Sequence, residues 1–342
     1  MKANRSGRLL LTGLLMACCA SAAGAGTGTV TERTPDAYAE PGELVNIAEN
    51  RRLNVRCEGN GAPTVVLEAG ANADSTTWFR VQPLIAKLTR VCAYDRAGYG
   101  FSDEGPKPRT LDADVADLRA LIQAVGVRTP VVLVGHSLGS NIARRYAQEH
   151  PGDVAGLVLV DPPEQNLAAF LPAEWKAQDT AMVAQRDQFL DRCEKGARTG
   201  RLAAPPPELQ GCLRAAPPWM SERVAASVAA YKQRPAYWRT LRSELAENAA
   251  IFGSAVSPEE SHGATPVVVL AADNADASVP EGIRKGMQAA RAATRDAIVA
   301  SSSQGRMQHI PDSSHDIQLD QPQAIADAVA TLLPGAPVHT GE

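Results

Sequence analysis

Short apolar segments alternate with segments of helical periodicity along most of the chain. Valine- and leucine-rich runs that predict buried strands occupy 63–70, 90–96, 130–135, 154–162 and 265–270. The segment 110–127 instead repeats apolar residues every three to four positions, as an amphipathic helix does. Buried strands that alternate with amphipathic helices predict an α/β fold, a mostly parallel sheet with helices on both faces.

Weaker patterns complete the predicted sheet. Strands at 44–48 and 52–57 should form an opening hairpin, and 306–310 should form the last strand. Helices are expected at 79–89 and 323–333.

The segment 163–263 contains no convincing strand pattern and holds Trp175, Trp219 and Trp238. It follows the carboxyl end of a strand, where ligands bind in such sheets, so we expect a helical lid. The alternative is a second domain without a catalytic role. The tryptophans either line an apolar pocket or form the core of the lid.

The two ends of the chain lie outside the predicted fold. Residues 1–25 combine basic residues, a short apolar run and small residues, which predicts an export signal. The sequence LLMAC also resembles a bacterial lipobox, so a cleaved soluble form and a lipoprotein anchored at Cys18 are both open. Residues 26–41 read as a linker and 335–342 as a tail, which leaves 42–162 and 264–334 for the core.

Composition narrows the classes of partner and cofactor. The net charge of −4 without a basic stripe argues against nucleic acid. Four cysteines follow the signal, and in an exported protein they suggest two disulfides with three possible pairings. There is no C-x-x-C pair, so a zinc ribbon or a thioredoxin-like site is not supported, and no metal or other cofactor is expected.

Ser137 stands in the sequence Gly135-His136-Ser137-Leu138-Gly139, between a predicted strand and a predicted helix. A sharp turn there would expose a nucleophilic serine, and the Leu138 N–H at the helix N-terminus could bind a developing negative charge. The alternative is that Ser137 only caps the helix.

A serine hydroxyl needs a base to become a nucleophile. Among six histidines, His315 lies in a loop after the last predicted strand, on the side where Ser137 would be exposed. It is therefore the predicted base.

These residues together resemble the α/β-hydrolase superfamily over about 44–334. The matching pieces occur in the family's order: VLEAGANADSTTW, VCAYDRAGYGFSD, VLVGHSLGS, GLVLVDP, TPVVVL and DSSHDIQLDQP. The resemblance implies an eight-stranded, mostly parallel sheet with a helical lid after strand six. It also implies a second oxyanion donor, the backbone N–H of Ala71, and a structural role for Asp95 and Arg96.

The acid that should hold His315 is left open among three aspartates. Most family members carry it after strand seven, where this chain offers Asp273 and Asp276. Some carry it after strand six, where Asp161 lies, and Asp161 is the preferred candidate.

The resemblance also narrows the disulfides. In the family's strand order, Cys57 on strand two and Cys92 on strand four lie on neighbouring strands. Cys193 and Cys212 would then close a loop within the lid.

The expected function is an exported serine hydrolase that cleaves a carboxylic ester of a small acyl substrate through an acyl-enzyme. A thioester, lactone or small amide fits the same machinery. The alternatives are a non-catalytic binding protein and a cofactor-free haloperoxidase-like or lyase-like enzyme. A dehalogenase or epoxide hydrolase is disfavoured, because those enzymes use aspartate at the position of Ser137.

Overall fold

The computed structural model of the protein describes residues 32–173, 175–273 and 279–335, apart from the side chains of residues 176, 177 and 179. The predicted export signal with Cys18, the candidate acid Asp276 and nearly all of the predicted tail lie outside the described residues.

One eight-stranded sheet forms the centre of the fold, with the strand order β1-β2-β4-β3-β5-β6-β7-β8. Strand β2 is antiparallel to both β1 and β4, and every other pairing is parallel. The strands are β1 Glu43–Ala48, β2 Arg51–Glu58, β3 Val65–Glu68, β4 Val91–Tyr94, β5 Val131–His136, β6 Val154–Val160, β7 Val267–Ala272 and β8 Gly305–Ile310. The predicted mostly parallel sheet is thus confirmed.

Helices cover both faces of this sheet. They are α1 Gln82–Ile85, α2 Leu111–Ala124, α3 Leu138–Glu149, α4 Trp175–Arg198, α5 Glu222–Lys232, α6 Pro235–Gly253, α7 Glu281–Ala300, α8 Ile317–Asp320 and α9 Pro322–Ala330. Successive residues of a strand point to opposite faces, so Leu133 packs with α2 and α3 while Val132 and Val134 pack with α1 and α9. Both apolar layers are therefore built from the same central strands.

Helix α1 is shorter than predicted. The expected helix over 79–89 is α-helical only over Gln82–Ile85. Beyond it, the N–H groups of Lys87 and Leu88 bond to carbonyls three residues back, and the Thr89 hydroxyl bonds to the carbonyl of Pro63. These tighter turns and the tertiary hydrogen bond end the helix early, and apolar periodicity does not report either of them.

Between β6 and β7 the chain forms helices α4, α5 and α6, which we call the helical insertion (residues 163–263). Its apolar cluster contains Trp238, Tyr231 and Leu241, and the Trp238 indole N–H donates to the carbonyl of Lys232. Trp238 is thus core of the insertion, while Trp219 stacks on Phe79 of the main fold with ring centroids 5.8 Å apart.

Both predicted disulfides are present. Cys57 on β2 and Cys92 on β4 face each other directly in the antiparallel register and are bonded. Cys193 at the end of α4 is bonded to Cys212, which closes a loop within the helical insertion.

The end of the predicted linker packs against the helical insertion. Residues Asp36–Ala39 form a 3-10 helix in which Tyr38 and Ala39 are buried. The Thr34 N–H donates to the carbonyl of Trp219, and the Ser227 hydroxyl of α5 donates to the carbonyl of Ala39. These residues are therefore part of the folded structure.

Within residues 32–173, 175–273 and 279–335, no helix is both long and apolar enough to cross a membrane.

Candidate active site

Ser137 lies at a strained turn between β5 and α3. Its backbone has φ 50° and ψ −122°, a conformation that residues with a Cβ rarely adopt. A Cβ at Gly135 would collide with the Gly139 carbonyl, and one at Gly139 would collide with the Glu68 carbonyl. The small residues on both sides are thus required by the turn. The Ser137 side chain makes no capping hydrogen bond, which contradicts the alternative that it merely caps α3.

The ring of His315 lies beside this turn. It packs against the ring of His136, the residue before Ser137, with centroids 4.7 Å apart. The Nε2 of His136 lies 3.0 Å from the carbonyl oxygen of His315. A carbonyl only accepts, so we assign the proton of His136 to Nε2. No direct hydrogen bond joins the Ser137 hydroxyl to His315 among the described residues, and such bonds often tighten only when substrate binds.

Asp161 follows β6 directly and faces His315. Its Oδ2 lies 2.6 Å from Nδ1 of His315. A carboxylate only accepts, so Nδ1 of His315 carries the proton and Nε2 is left with a free lone pair. The other oxygen, Oδ1, accepts hydrogen bonds from the Arg295 guanidinium and from the Ala272 N–H. Asp161 itself is buried, at φ 43°.

Charge and burial set the protonation of this group. Burial tends to lower the pKa of His315, but the hydrogen bond and the negative charge of Asp161 outweigh it, and the pKa is raised above 6.5. Burial tends to raise the pKa of Asp161, yet the hydrogen bond and charge of His315 and the charge of Arg295 hold it below its usual value. Burial, followed by the charge of His315, lowers the pKa of His136 to about 4.

The structure brings Asp161, and not Asp273, to His315. Asp273 follows β7 and pairs at the surface with His309 of β8, at 2.8 Å between Oδ1 and Nδ1. Asp276 lies outside the described residues. Of the three candidate acids, Asp161 is the one that meets the predicted base within the described part of the chain.

The two residues predicted to supply oxyanion donors, Ala71 and Leu138, lie in segments next to Ser137. Leu138 is the first residue of α3. Ala71 follows Gly70, where a Cβ would stand 3.3 Å from the Ser137 Cβ, so the loop after β3 passes close to the serine. Within the described residues, neither N–H donates to another protein group. Both are available to a bound oxygen atom.

Two residues of this site were not predicted from the sequence. Arg295 binds Asp161 from α7, where it lies on the buried face with Ala290, Thr294 and Ile298. A cation on the apolar face of a helix signals a buried partner, so this pattern could have found it. Gln318 is fully buried and contacts His136 Nδ1 at 3.4 Å. A glutamine in a short helix carries no comparable signal.

Within the described ranges no group of three or more histidine, cysteine, aspartate or glutamate side chains is arranged to hold a metal ion. A cavity of about 350 Å³ lies along α3 and is lined in part by Asn141, Arg144 and Glu260. Ser137 and His315 do not line it, so it is separate from the site described above.

Comparison with known proteins agrees with the geometry. The chain is 35% identical over 128 residues to the Bacillus subtilis protein YqjL, and the alignment covers 36% of this chain and 49% of that protein. It is 37% identical over 111 residues to the lipase LipV of Mycobacterium tuberculosis, which covers 32% of this chain and 41% of the lipase. The matched region thus spans about half or less of these relatives.

Solved structures resemble a larger part of the chain. The epoxide hydrolase CorEH has a TM-score of 0.59 at 17% identity, over 85% of this chain and 96% of that one. An esterase from Thermogutta terrifontis has a TM-score of 0.54 at 20% identity, over 85% and 96%. These similarities show the fold. The sequence profile of the Alpha/beta hydrolase family matches residues 65–328, and this chain therefore belongs to the alpha/beta hydrolase family.

Proposed function

We propose that the protein is an exported serine hydrolase that cleaves a carboxylic ester through an acyl-enzyme. The observation that carries the proposal is the pairing of His315 Nδ1 with Asp161, which leaves Nε2 free to accept a proton beside Ser137. Histidine in this tautomer, oriented by a carboxylate, is what an attacking serine requires.

The proposed reaction has two halves, formation of the acyl-enzyme and its hydrolysis, and the same residues act in both. Ser137 Oγ attacks the acyl carbonyl carbon while His315 Nε2 takes its proton. The N–H groups of Ala71 and Leu138 stabilise the negative oxygen that forms. His315 then returns the proton to the departing alcohol. In the second half, His315 takes a proton from water as the water oxygen attacks the acyl carbon, and it returns this proton to Ser137 Oγ as the acid departs.

Serine at this position favours acyl transfer over the epoxide opening performed by one of the similar structures. A serine oxygen that opened an epoxide would form a stable ether, which water does not cleave. A carboxylate nucleophile would form an ester, which water does cleave. Because Ser137 occupies the turn, an acyl substrate gives a complete catalytic cycle.

Export and the nature of the partners belong to the same proposal. The two disulfides are consistent with an oxidising compartment. We propose that the mature protein acts outside the cytoplasm on a small acyl substrate, without nucleic acid. Its contact with membrane would then be limited to a lipid on Cys18, if that cysteine is retained and modified.

Labelling with a fluorophosphonate probe tests the proposal. We expect wild type to be labelled, and labelling to be abolished in Ser137→Ala and strongly slowed in His315→Ala. Asp161→Asn should slow labelling by roughly 10³- to 10⁴-fold, because the wrong tautomer of His315 is then favoured.

Asp273→Asn serves as the matched control, because it breaks an exposed aspartate–histidine pair of similar length. Asp276→Asn tests the remaining candidate acid. If the folded wild type reacts no faster than Ser137→Ala, the chain is not a serine hydrolase and the non-catalytic binding protein becomes the better hypothesis. If Asp276→Asn slows labelling and Asp161→Asn does not, the acid is misassigned.

The bond that is cleaved is tested separately. Wild type should hydrolyse short p-nitrophenyl esters, with an acyl-enzyme burst that Ser137→Ala lacks. A preference for matched thioesters, lactones or anilides over the esters would contradict the carboxylic ester as substrate and retain the serine mechanism.

A further inference from the structure

A buried guanidinium lies directly behind the loop that carries Ala71. Arg96 follows β4 and is only 3% exposed. Its Nη1 donates to the carbonyl of Ala69 at 2.5 Å, and its Nη2 donates to the carbonyl of Gly70 at 2.8 Å. The family resemblance implies a structural role for this arginine, but its contacts lie within the candidate active site.

The contact with Gly70 bears on the N–H of Ala71. The Gly70 carbonyl and the Ala71 N–H belong to one peptide group, and in a trans peptide they point in opposite directions. A donor that fixes the carbonyl therefore also fixes the direction of the N–H. A cation on the carbonyl oxygen also polarises the peptide and makes its N–H a stronger donor.

Arg96 is itself held by two carboxylates. Nη1 donates to Glu68 of β3 at 2.9 Å, while Nε and Nη2 donate to Glu244 of α6 at 3.1 and 2.9 Å. With the two carbonyls, these contacts use all five N–H groups of the guanidinium. Burial raises the pKa of Glu68 to about 7 in spite of Arg96 and Tyr94, so this carboxyl is only partly ionised near neutral pH. Glu244 is the second carboxyl group in contact with Arg96.

The helical insertion contributes a second contact to the same loop. The hydroxyl of Tyr237, also on α6, donates to the side chain of Asn72, the residue after Ala71. Glu244 is only 1% exposed, and its other oxygen accepts from the Tyr99 hydroxyl at 2.8 Å. Helix α6 therefore contacts the loop directly at Asn72 and indirectly, through Arg96, at Gly70.

We propose that Arg96 is a positioning residue that aims the Ala71 N–H at the developing oxyanion, and that Glu244 makes this aim depend on helix α6 of the insertion. The inference rests on the proposed serine hydrolase mechanism. If Arg96 had only a structural role, its substitution would lower only the stability of the fold. A positioning role predicts that the substitution also weakens stabilisation of the transition state.

The test compares two buried arginines. Arg96→Lys keeps the charge but loses the planar fork that serves both carbonyls. Arg109→Lys is the control, because Arg109 is 2% exposed, pairs with Asp114 and Asp117, and makes no contact with residues 69–71 among its hydrogen bonds in the described structure. Both variants lose a buried guanidinium, so their stability losses should be comparable.

The kinetic readouts are kcat, KM and inhibition by a trifluoromethyl ketone, with a p-nitrophenyl ester as substrate. For Arg96→Lys we expect kcat to fall by roughly 10- to 100-fold, below the effect of deleting a whole oxyanion donor. KM should change less than twofold, and the affinity for the ketone should fall by the same factor as kcat. Arg109→Lys should change each of these quantities less than twofold.

Glu244→Gln is the milder variant if Arg96→Lys does not fold. It keeps the shape and one acceptor oxygen, and it should show the same kinetic pattern with a smaller fall in kcat. An equal change in kcat for the Arg96 and Arg109 variants, or an unchanged kcat in Glu244→Gln when Arg96→Lys does not fold, would overturn the inference.

Hydrogen exchange of the peptide spanning residues 65–80 gives a readout that needs no activity. This segment should exchange faster in Arg96→Lys, or in Glu244→Gln, than in Arg109→Lys. If wild type has no hydrolase activity but the exchange result holds, the proposed function fails while the positioning contact stands. If wild type is active and exchange in this segment is the same in all variants, the positioning inference fails alone.

Discussion

The Asp161 carboxylate accepts hydrogen bonds from His315 on one side and from Arg295 on the other, and this arrangement favours the ionised form of Asp161 and a proton on Nδ1 of His315. One oxygen binds the His315 ring and the other binds Arg295. Because Arg295 occupies the second oxygen, the carboxylate presents the first one to His315 in a single orientation. Each oxygen of this buried carboxylate thus has its own hydrogen-bond donor, and this pairing sets the orientation of the His315 ring.

The pH dependence of activity follows from the raised pKa of His315. A base must be neutral, so kcat/KM should rise with pH through a midpoint above 6.5. Asp161 raises this pKa, and burial lowers it, so Asp161→Asn should move the midpoint to lower pH as well as reduce the plateau. Initial rates on an ester across pH 5 to 9 measure both quantities. A midpoint that shifts upward in Asp161→Asn, or that shifts equally in Asp273→Asn, would contradict the assignment.

The strained backbone at Ser137 makes a prediction about stability. Glycine adopts φ 50° and ψ −122° readily, whereas alanine is as restricted there as serine. Ser137→Gly should therefore be more stable than Ser137→Ala by about 1 kcal/mol, although both should lack hydrolase activity. Urea unfolding at neutral pH measures the difference. Equal midpoints for the two variants would show that the turn stores no such strain.

At the scale of elements, the helical insertion is held by its own covalent link as well as by its apolar cluster. The disulfide between Cys193 and Cys212 joins the end of α4 to the chain before α5, across a sequence separation of 19 residues. Leu190 and Leu209 are buried in the same cluster. The disulfide and these apolar contacts therefore both hold the segment between Cys193 and Cys212 in place.

Removal of this bond should destabilise the insertion. A Cys193→Ala, Cys212→Ala double variant is expected to lose about 3 kcal/mol of unfolding free energy, on the chain-entropy estimate for a loop of this length. Urea titrations followed by tryptophan fluorescence would measure the change. The single Cys193→Ala variant under reducing conditions is the control for lost side-chain packing, and a double variant as stable as wild type would contradict a stabilising role.

The sequence predicted the elements whose signals are local and missed contacts that depend on distant residues. Short patterns of small and apolar residues predict the Ser137 turn and the parallel strands. The sequence favoured Asp161 but left Asp273 and Asp276 open, because all three follow predicted strands. The path of the His315 loop, which separates Asp161 from Asp273, does not appear in local patterns. Likewise α1 ends early because Thr89 bonds to Pro63, a contact between separate segments.

At the scale of the whole molecule, the predicted linker and the helical insertion meet on the surface of the main fold. Tyr38, from the start of the chain, is buried beside Phe79 of the main fold and Val224 of the helical insertion. Arg56 of β2 donates to the carbonyl of Ala37, so the same short segment also touches the sheet. Three regions of the sequence therefore share one small apolar cluster at this place.

The link between Glu244 and Arg96 limits how such a protein can be re-engineered. Insertions are attractive units to exchange when a new substrate preference is wanted, since they cover the sheet edge where ligands bind. Here a grafted insertion that lacked an acid at the position of Glu244 would remove one of the two carboxylates that bind the buried Arg96, and breaking a buried ion pair typically costs roughly 3–5 kcal/mol. A chimera would have to keep a carboxylate at the position of Glu244, or replace Arg96 as well, because the helical insertion and the main fold share this ion pair.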